Sequence, residues 1–128
     1  MEIFRSITLS IAINCPHKKV YKFVSDINNL PKWAMTFCYS IKKSKGDWTI
    51  ETPQGPLKIR ITPKNEFGIL DHFIVDRGVV IFVPMRVVQN GKGSEVTFTL
   101  FQRPEMSNEQ YAQDIAFVRA DLNNYPVQ

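Results

Sequence analysis

Little in this chain of 128 residues is equipped for covalent or metal chemistry. There are two cysteines, Cys15 and Cys38, in a chain long enough to bury a core without staples. Neither stands at a zinc-clasping spacing, so both read as buried thiols. No nucleophile has a base beside it. The one glycine pair, Gly91-x-Gly93, follows a strand and opens another strand, whereas a phosphate cradle must open a helix. Metal and nucleotide cofactors are therefore not expected. A long hydrophobic run is lacking too, because Met1 to Ile13 alternates instead of setting an apolar block behind a basic head. That excludes a signal peptide and a membrane span, and the expected location is cytoplasmic. Repeats and low-complexity segments are absent.

The charge balance is basic, +4 with a pI near 9.2, which raises nucleic acid and anionic lipid as partners. The lysines come in small groups, Lys18, Lys19 and Lys22 at a helix start and Lys42, Lys43 and Lys45 at a hairpin. No single strand interleaves them with aromatics for base stacking, so a solvated surface is the simpler reading.

What the chain does have is 44% hydrophobic and 12% aromatic content, enough for one domain spanning residues 1–128. Its organising stretch is the last, Ser107 to Asn124. Ser107 and Gln110 form a capping box, and Met106 can staple onto Tyr111. Tyr111, Ile115, Val118 and Leu122 then recur in one stripe, opposite Gln113, Ala120 and Asn124. Phe117 lies off that stripe and the periodicity does not explain it. Such a helix needs an apolar partner, and most of the preceding chain reads as strands.

Glu2 to Ile13 alternates, with Ile3, Ile7, Leu9, Ile11 and Ile13 on one face, as a half-buried strand does. Asn14-Cys15-Pro16 supplies a cap and a first-turn proline for a helix carrying Val20, Phe23, Val24 and Ile27, which should stop near Ser25 or Asp26. A second short turn follows around Pro31, because proline fits only the first turn. From Phe37 the period is two. Turns are expected at Lys45-Gly46-Asp47, at Pro53-Gln54-Gly55-Pro56, at Asp76-Arg77-Gly78 and at Asn90-Gly91-Lys92-Gly93. They separate strands that include Ile69 to Val75, Val79 to Gln89 and Glu95 to Arg103. Short loops demand antiparallel neighbours. The expected fold is α+β: a curved antiparallel sheet of about seven strands wrapped around a long C-terminal helix, with two short helices after the first strand. A sheet so wide must curl, and the curl leaves a cavity under the helix.

Several motifs resemble the START-like superfamily, in its bacterial polyketide cyclase/dehydrase and lipid-transport branch. They are Pro16-x-x-x-Val20-Tyr21-x-Phe23-Val24-Ser25-Asp26-x-x-Asn29-Leu30-Pro31-x-Trp33, then Gly68-x-Leu70-Asp71-His72, Val83-Pro84-Met85-Arg86-Val87-Val88, Gly91-x-Gly93-Ser94-Glu95-Val96-x-Phe98, and Met106-Ser107-x-Glu109-x-Tyr111-x-x-Asp114 with Asp121-Leu122. The resemblance covers essentially the whole chain and implies a helix-grip fold, in which the sheet clasps the last helix around a mostly apolar pocket. Members of that superfamily include lipid carriers, hormone receptors, cyclases and aromatase-like proteins.

Asp71 and His72 invite an acid/base reading, but neighbours on a strand point to opposite faces. The turn decides which enters the cavity. A three-residue Asp76-Arg77-Gly78 loop with Gly78 left-handed places Leu70, His72 and Ile74 with Val80, Phe82 and Arg86, and glycine in third place favours it. A two-residue Arg77-Gly78 loop instead aligns His72 with Val83 and Met85. Arg86 is either watered on the convex face or an internal charge for an anionic ligand, while Arg60 faces solvent. Trp33, Met35, Trp48, Phe98 and Tyr111 are candidate pocket-lining side chains, and Met85, Ile115, His72 and Arg86 join them as ligand contacts.

The expected function is binding of a small hydrophobic or amphipathic molecule, lipid-like or polyketide-like, beneath the last helix. Access would come through helix movement or parting of the Pro31–Met35 and Pro53–Pro56 loops. The alternative is a cyclase or dehydratase in which His72 or Asp71 moves a proton; a third option is an interaction module with a filled cavity. Nucleic acid and stable membrane insertion are not expected, and the oligomeric state, homodimer included, stays open.

Overall fold

The computed structural model describes residues 3–35, 37–44 and 47–124. Strand β1 (Arg5–Ile13) leads into helix α1 (His17–Val24), a single 3-10 turn (Ile27–Asn29) and helix α2 (Leu30–Trp33). Seven strands follow: β2 (Ser40–Ser44), β3 (Asp47–Thr52), β4 (Gly55–Ile61), β5 (His72–Asp76), β6 (Val79–Val83), β7 (Met85–Asn90) and β8 (Gly93–Gln102). Helix α3 (Asn108–Asn123) closes the chain. None of the helices among the described residues is long and apolar enough to cross a membrane.

Most boundaries follow local chemistry. Ser107 Oγ accepts the Gln110 N–H at 3.1 Å to cap α3, and Pro31 sits in the first turn of α2. The cap expected of Asn14 does not form, since Pro16 itself occupies the N-cap of α1. Strand β2 starts at Ser40, later than the alternation from Phe37 implied, and the turn expected at Lys45-Gly46 lies outside the described residues.

All neighbours are antiparallel, in two sheets ordered β1-β8-β7 and β2-β3-β4-β5-β6. The expectation of about seven strands, with Val79 to Gln89 as one, is thereby corrected: there are eight strands in the described residues, and Pro84 divides β6 from β7. Proline has no N–H to give to a ladder, so the pairing must break there. The broken ends are tied by other means. Pro84 carbonyl accepts the Thr99 N–H at 2.9 Å, and the Asp71 carboxylate accepts the Met85 N–H at 2.9 Å.

The β5–β6 turn is the second correction. Asp76 pairs with Val79, so the loop is the two residues Arg77 and Gly78, at φ 49° and 84°. Positive φ at both positions is the turn whose twist matches a hairpin, and the three-residue loop is not formed. One residue of register decides the face of every side chain on the strand. His72 therefore stands opposite Val83, and Ile74 opposite Ile81.

The loop before β5 is pinned by Asn65, whose amide donates to the Ile69 carbonyl at 2.9 Å while its Oδ1 accepts the Phe67 and Ile69 N–H groups. Gly68 then lies so close to β7 that a Cβ there would fall 2.1 Å from the Val87 carbonyl oxygen. The core runs continuously from Leu9, Ile13 and Val20 through Val87 and Val96 to Ile50, Ile59 and Leu122.

Candidate functional site

The inner face of the five-stranded sheet is set by alternation: Leu57, Ile59 and Ile61 on β4, His72 and Ile74 on β5, and Ile81 and Val83 on β6. Opposite them stand Val24, Leu30, Trp33 and Phe37 from the α1–β2 segment, and Tyr111, Phe117 and Val118 from α3. Between these walls is a cavity of about 310 Å³. Met85, Phe98 and Leu100, where the two sheets meet, complete the lining. Its solvent-exposed members, Pro53, Gln54, Arg77, Phe82, Gln110 and Phe117, mark where the cavity meets water. One such margin is the Pro53-Gln54 turn.

Tyr111 is spent on holding the helix. Its hydroxyl donates to the Leu100 carbonyl at 2.8 Å, and the Arg5 guanidinium lies 5.5 Å from the centre of its ring. Burial pushes its phenol above the ordinary range.

His72 is the most informative polar group. Nδ1 lies 3.0 Å from the Leu70 carbonyl, which can only accept, so Nδ1 carries the proton. Enclosure by protein lowers the imidazole below its ordinary value, which keeps it neutral at pH 7. Phe98 packs edge-on against the ring, centroids 5.9 Å apart. On α3 across the cavity, burial raises the carboxyl of Asp114, an effect that Arg103 partly offsets, and Asp121 is buried in the lining.

Asp71 points the other way and is removed as an acid/base candidate. Its carboxylate takes Arg86 in a two-pronged ion pair, Nε to Oδ1 at 3.0 Å and Nη2 to Oδ2 at 2.8 Å, beside the Met85 N–H. Arg86 first, then the backbone N–H, holds that carboxyl below the ordinary range. The pair clamps the break at Pro84.

Of the residues expected at the ligand site, Trp33, His72, Met85, Phe98 and Tyr111 come together in the lining. Met35, Trp48, Arg86 and Ile115 do not. Met35 lies beyond α2 and is 49% exposed. Trp48 packs against the core with the Lys43 ammonium 5.7 Å from its ring centre, outside the cavity. Arg86 faces outward to Asp71, its side chain 47% exposed. Ile115 packs on the core because the cavity-facing arc of α3 centres on Asp114, about 100° round the helix.

That arc, Gln110, Asp114, Phe117 and Asp121, was missed by a reading of apolar residues alone. Its spacing of four, three and four is a second stripe beside the apolar one, and it accounts for Phe117. Among the described residues no group of three His, Cys, Asp or Glu side chains is arranged to hold a metal.

No family model matches the chain, and no curated protein matches it. Solved structures do. An uncharacterised protein of Bacillus thuringiensis is similar over 94% of this chain and 95% of its own, at 18% identity and a TM-score of 0.76. Ara h 8.0201 is similar over 95% of both chains, at 13% identity and a TM-score of 0.68. CalU16 of Micromonospora echinospora is similar over 94% of this chain and 71% of its own, at 18% identity and a TM-score of 0.68. DynU16, from the dynemicin biosynthetic locus, is 13% identical at a TM-score of 0.71, and this chain spans 45% of it. At these identities the likeness is one of fold: α+β, with antiparallel sheets and a C-terminal helix.

Proposed function

We propose that this protein is a START-like, helix-grip binding protein that holds a small hydrophobic or amphipathic molecule between its five-stranded sheet and α3. The observation that carries the reading is the cavity of about 310 Å³, walled mostly by apolar side chains such as Leu30, Ile59, Ile74 and Val83, with a polar minority that includes Thr62, His72, Thr99, Asp114 and Asp121. A concave, mostly apolar site with sparse polar anchors is what small apolar ligands require. Burying them is favourable at about 25 cal/mol per Å² of apolar surface. CalU16 and DynU16 share the fold, and the locus of DynU16 makes polyketide-like molecules a reasonable first library.

The test is calorimetric titration of β-naphthol and its analogues against the protein, with Ile81→Phe as the comparison. Saturable binding that Ile81→Phe weakens at least about tenfold supports the cavity as the site. Binding unaltered by a wall substitution, or no binding to any apolar compound, overturns it. Native mass spectrometry of protein from its own host would identify a retained ligand.

The neutral His72 facing the cavity favours a second reading, a cyclase or dehydratase in which that imidazole moves a proton. An enzyme with His72→Ala would lose rate far more than affinity, whereas a carrier has no turnover to lose.

A further inference from the structure

Resting on the cavity reading above, we infer that His72 Nε2 is the polar anchor of the site and receives a hydrogen from the hydroxyl of an uncharged, otherwise apolar ligand, an alcohol or a phenol. The argument starts from the tautomer. With Nδ1–H committed to the Leu70 carbonyl, Nε2 carries a lone pair and can only accept. Nε2 has no hydrogen-bond partner among the described residues, yet it is not among the sealed polar atoms. The ring is enclosed by protein and still keeps some accessible surface, so that surface belongs to the cavity.

Its surroundings choose the donor. The cross-strand neighbours of His72 are Ile61 and Val83, and Phe98 covers its edge. A charged group brought there would shed its water against hydrocarbon, while a hydroxyl sheds far less and regains its bond. A carboxylate offers Nε2 no hydrogen, so it cannot make the bond that a hydroxyl makes, whatever the mixed charges of Arg77, Arg103, Asp114 and Asp121 on the cavity wall.

The experiment compares β-naphthol, β-methylnaphthalene and β-naphthoate against wild type and His72→Phe. Because the methyl compound is the more apolar, the quantity read is the ratio of the naphthol and methylnaphthalene affinities in each protein, a cycle that cancels general burial. The ratio is expected to fall about five- to tenfold in His72→Phe, with β-naphthoate the weakest ligand of wild type. An unchanged ratio, or β-naphthoate binding tightest, overturns the anchor while leaving the cavity reading intact. No binding of any of the three to wild type overturns both. Nitrogen NMR of wild type alone keeps the question answerable if His72→Phe does not fold. β-Naphthol should shift the Nε2 resonance of His72 where β-methylnaphthalene does not, and equal shifts refute the anchor.

Discussion

The two sheets obey the same alternation and end differently. On the three-stranded sheet most of the inner face is sealed: α1 lies on β7 and β8, Val20, Val87 and Val96 are at most 2% exposed, and only a void of about 10 Å³ remains beside Ile13 and Val96. On the five-stranded sheet the inner side chains Leu57, Ile61, His72 and Ile81 are only half-buried, although their neighbours Ile50 and Ile59 are as sealed as any. Alternation places a residue on a face. What that face then meets depends on whether a helix is docked on it or only arches across.

The contrast is sharpest in paired truncations. Ile13→Ala in the sealed half should cost about 2–5 kcal/mol, whereas Ile81→Ala, whose side chain already borders open space, should cost nearer ~1 kcal/mol. Urea unfolding measures both, and equal costs would erase the distinction drawn between the halves. Asp71→Ala attacks the seam. It leaves the Met85 N–H and Arg86 without their carboxylate and should cost about 1–3 kcal/mol. The Asp71 carboxyl is depressed in the fold, so its contribution is complete above about pH 4 and is lost as pH falls below that; the variant's stability should fall less steeply there.

A smaller effect belongs to the cavity wall. The imidazole of His72 is also depressed, so below about pH 6.5 the unfolded chain takes up a proton that the folded one resists, and stability drops as pH falls. Asp114, raised by burial, works in the opposite sense. The difference between wild type and His72→Phe in thermal melts from pH 7 to pH 5 isolates the histidine. The least effect concerns Cys38, whose thiol donates to the Ser40 carbonyl at 3.3 Å and is pushed up to about 11 by burial. Thiol reagents at pH 8 should label it only after unfolding, and rapid labelling of the folded protein would show that this edge of the core opens.

Much of the fold was legible because it is local. The Ser107 cap, the proline of α2 and the period-two runs each act within a few residues, and α3 begins and ends within a residue or so of where the pattern places it. The site was legible in part. Trp33, Phe98 and Tyr111 reach the lining, while Met35 and Trp48 are equally aromatic or flexible and do not. Nothing in a side chain's own chemistry separates those outcomes. The polar stripe of α3 was readable in principle, since Asp114, Phe117 and Asp121 repeat at helical spacing, but only against knowledge that a cavity lies beneath it.

The amino-acid order alone determined most of the elements, their antiparallel pairing and the fact that Asp71 and His72 must part to opposite faces, because strand geometry gives adjacent residues no choice. Which of the two turned inward was settled by one residue of hairpin register at Arg77 and Gly78. Whether anything lay within was settled by how far a sheet broken at Pro84 stands from the helix above it. Those are long-range quantities, set by packing among segments distant in the chain, and no local pattern encodes them.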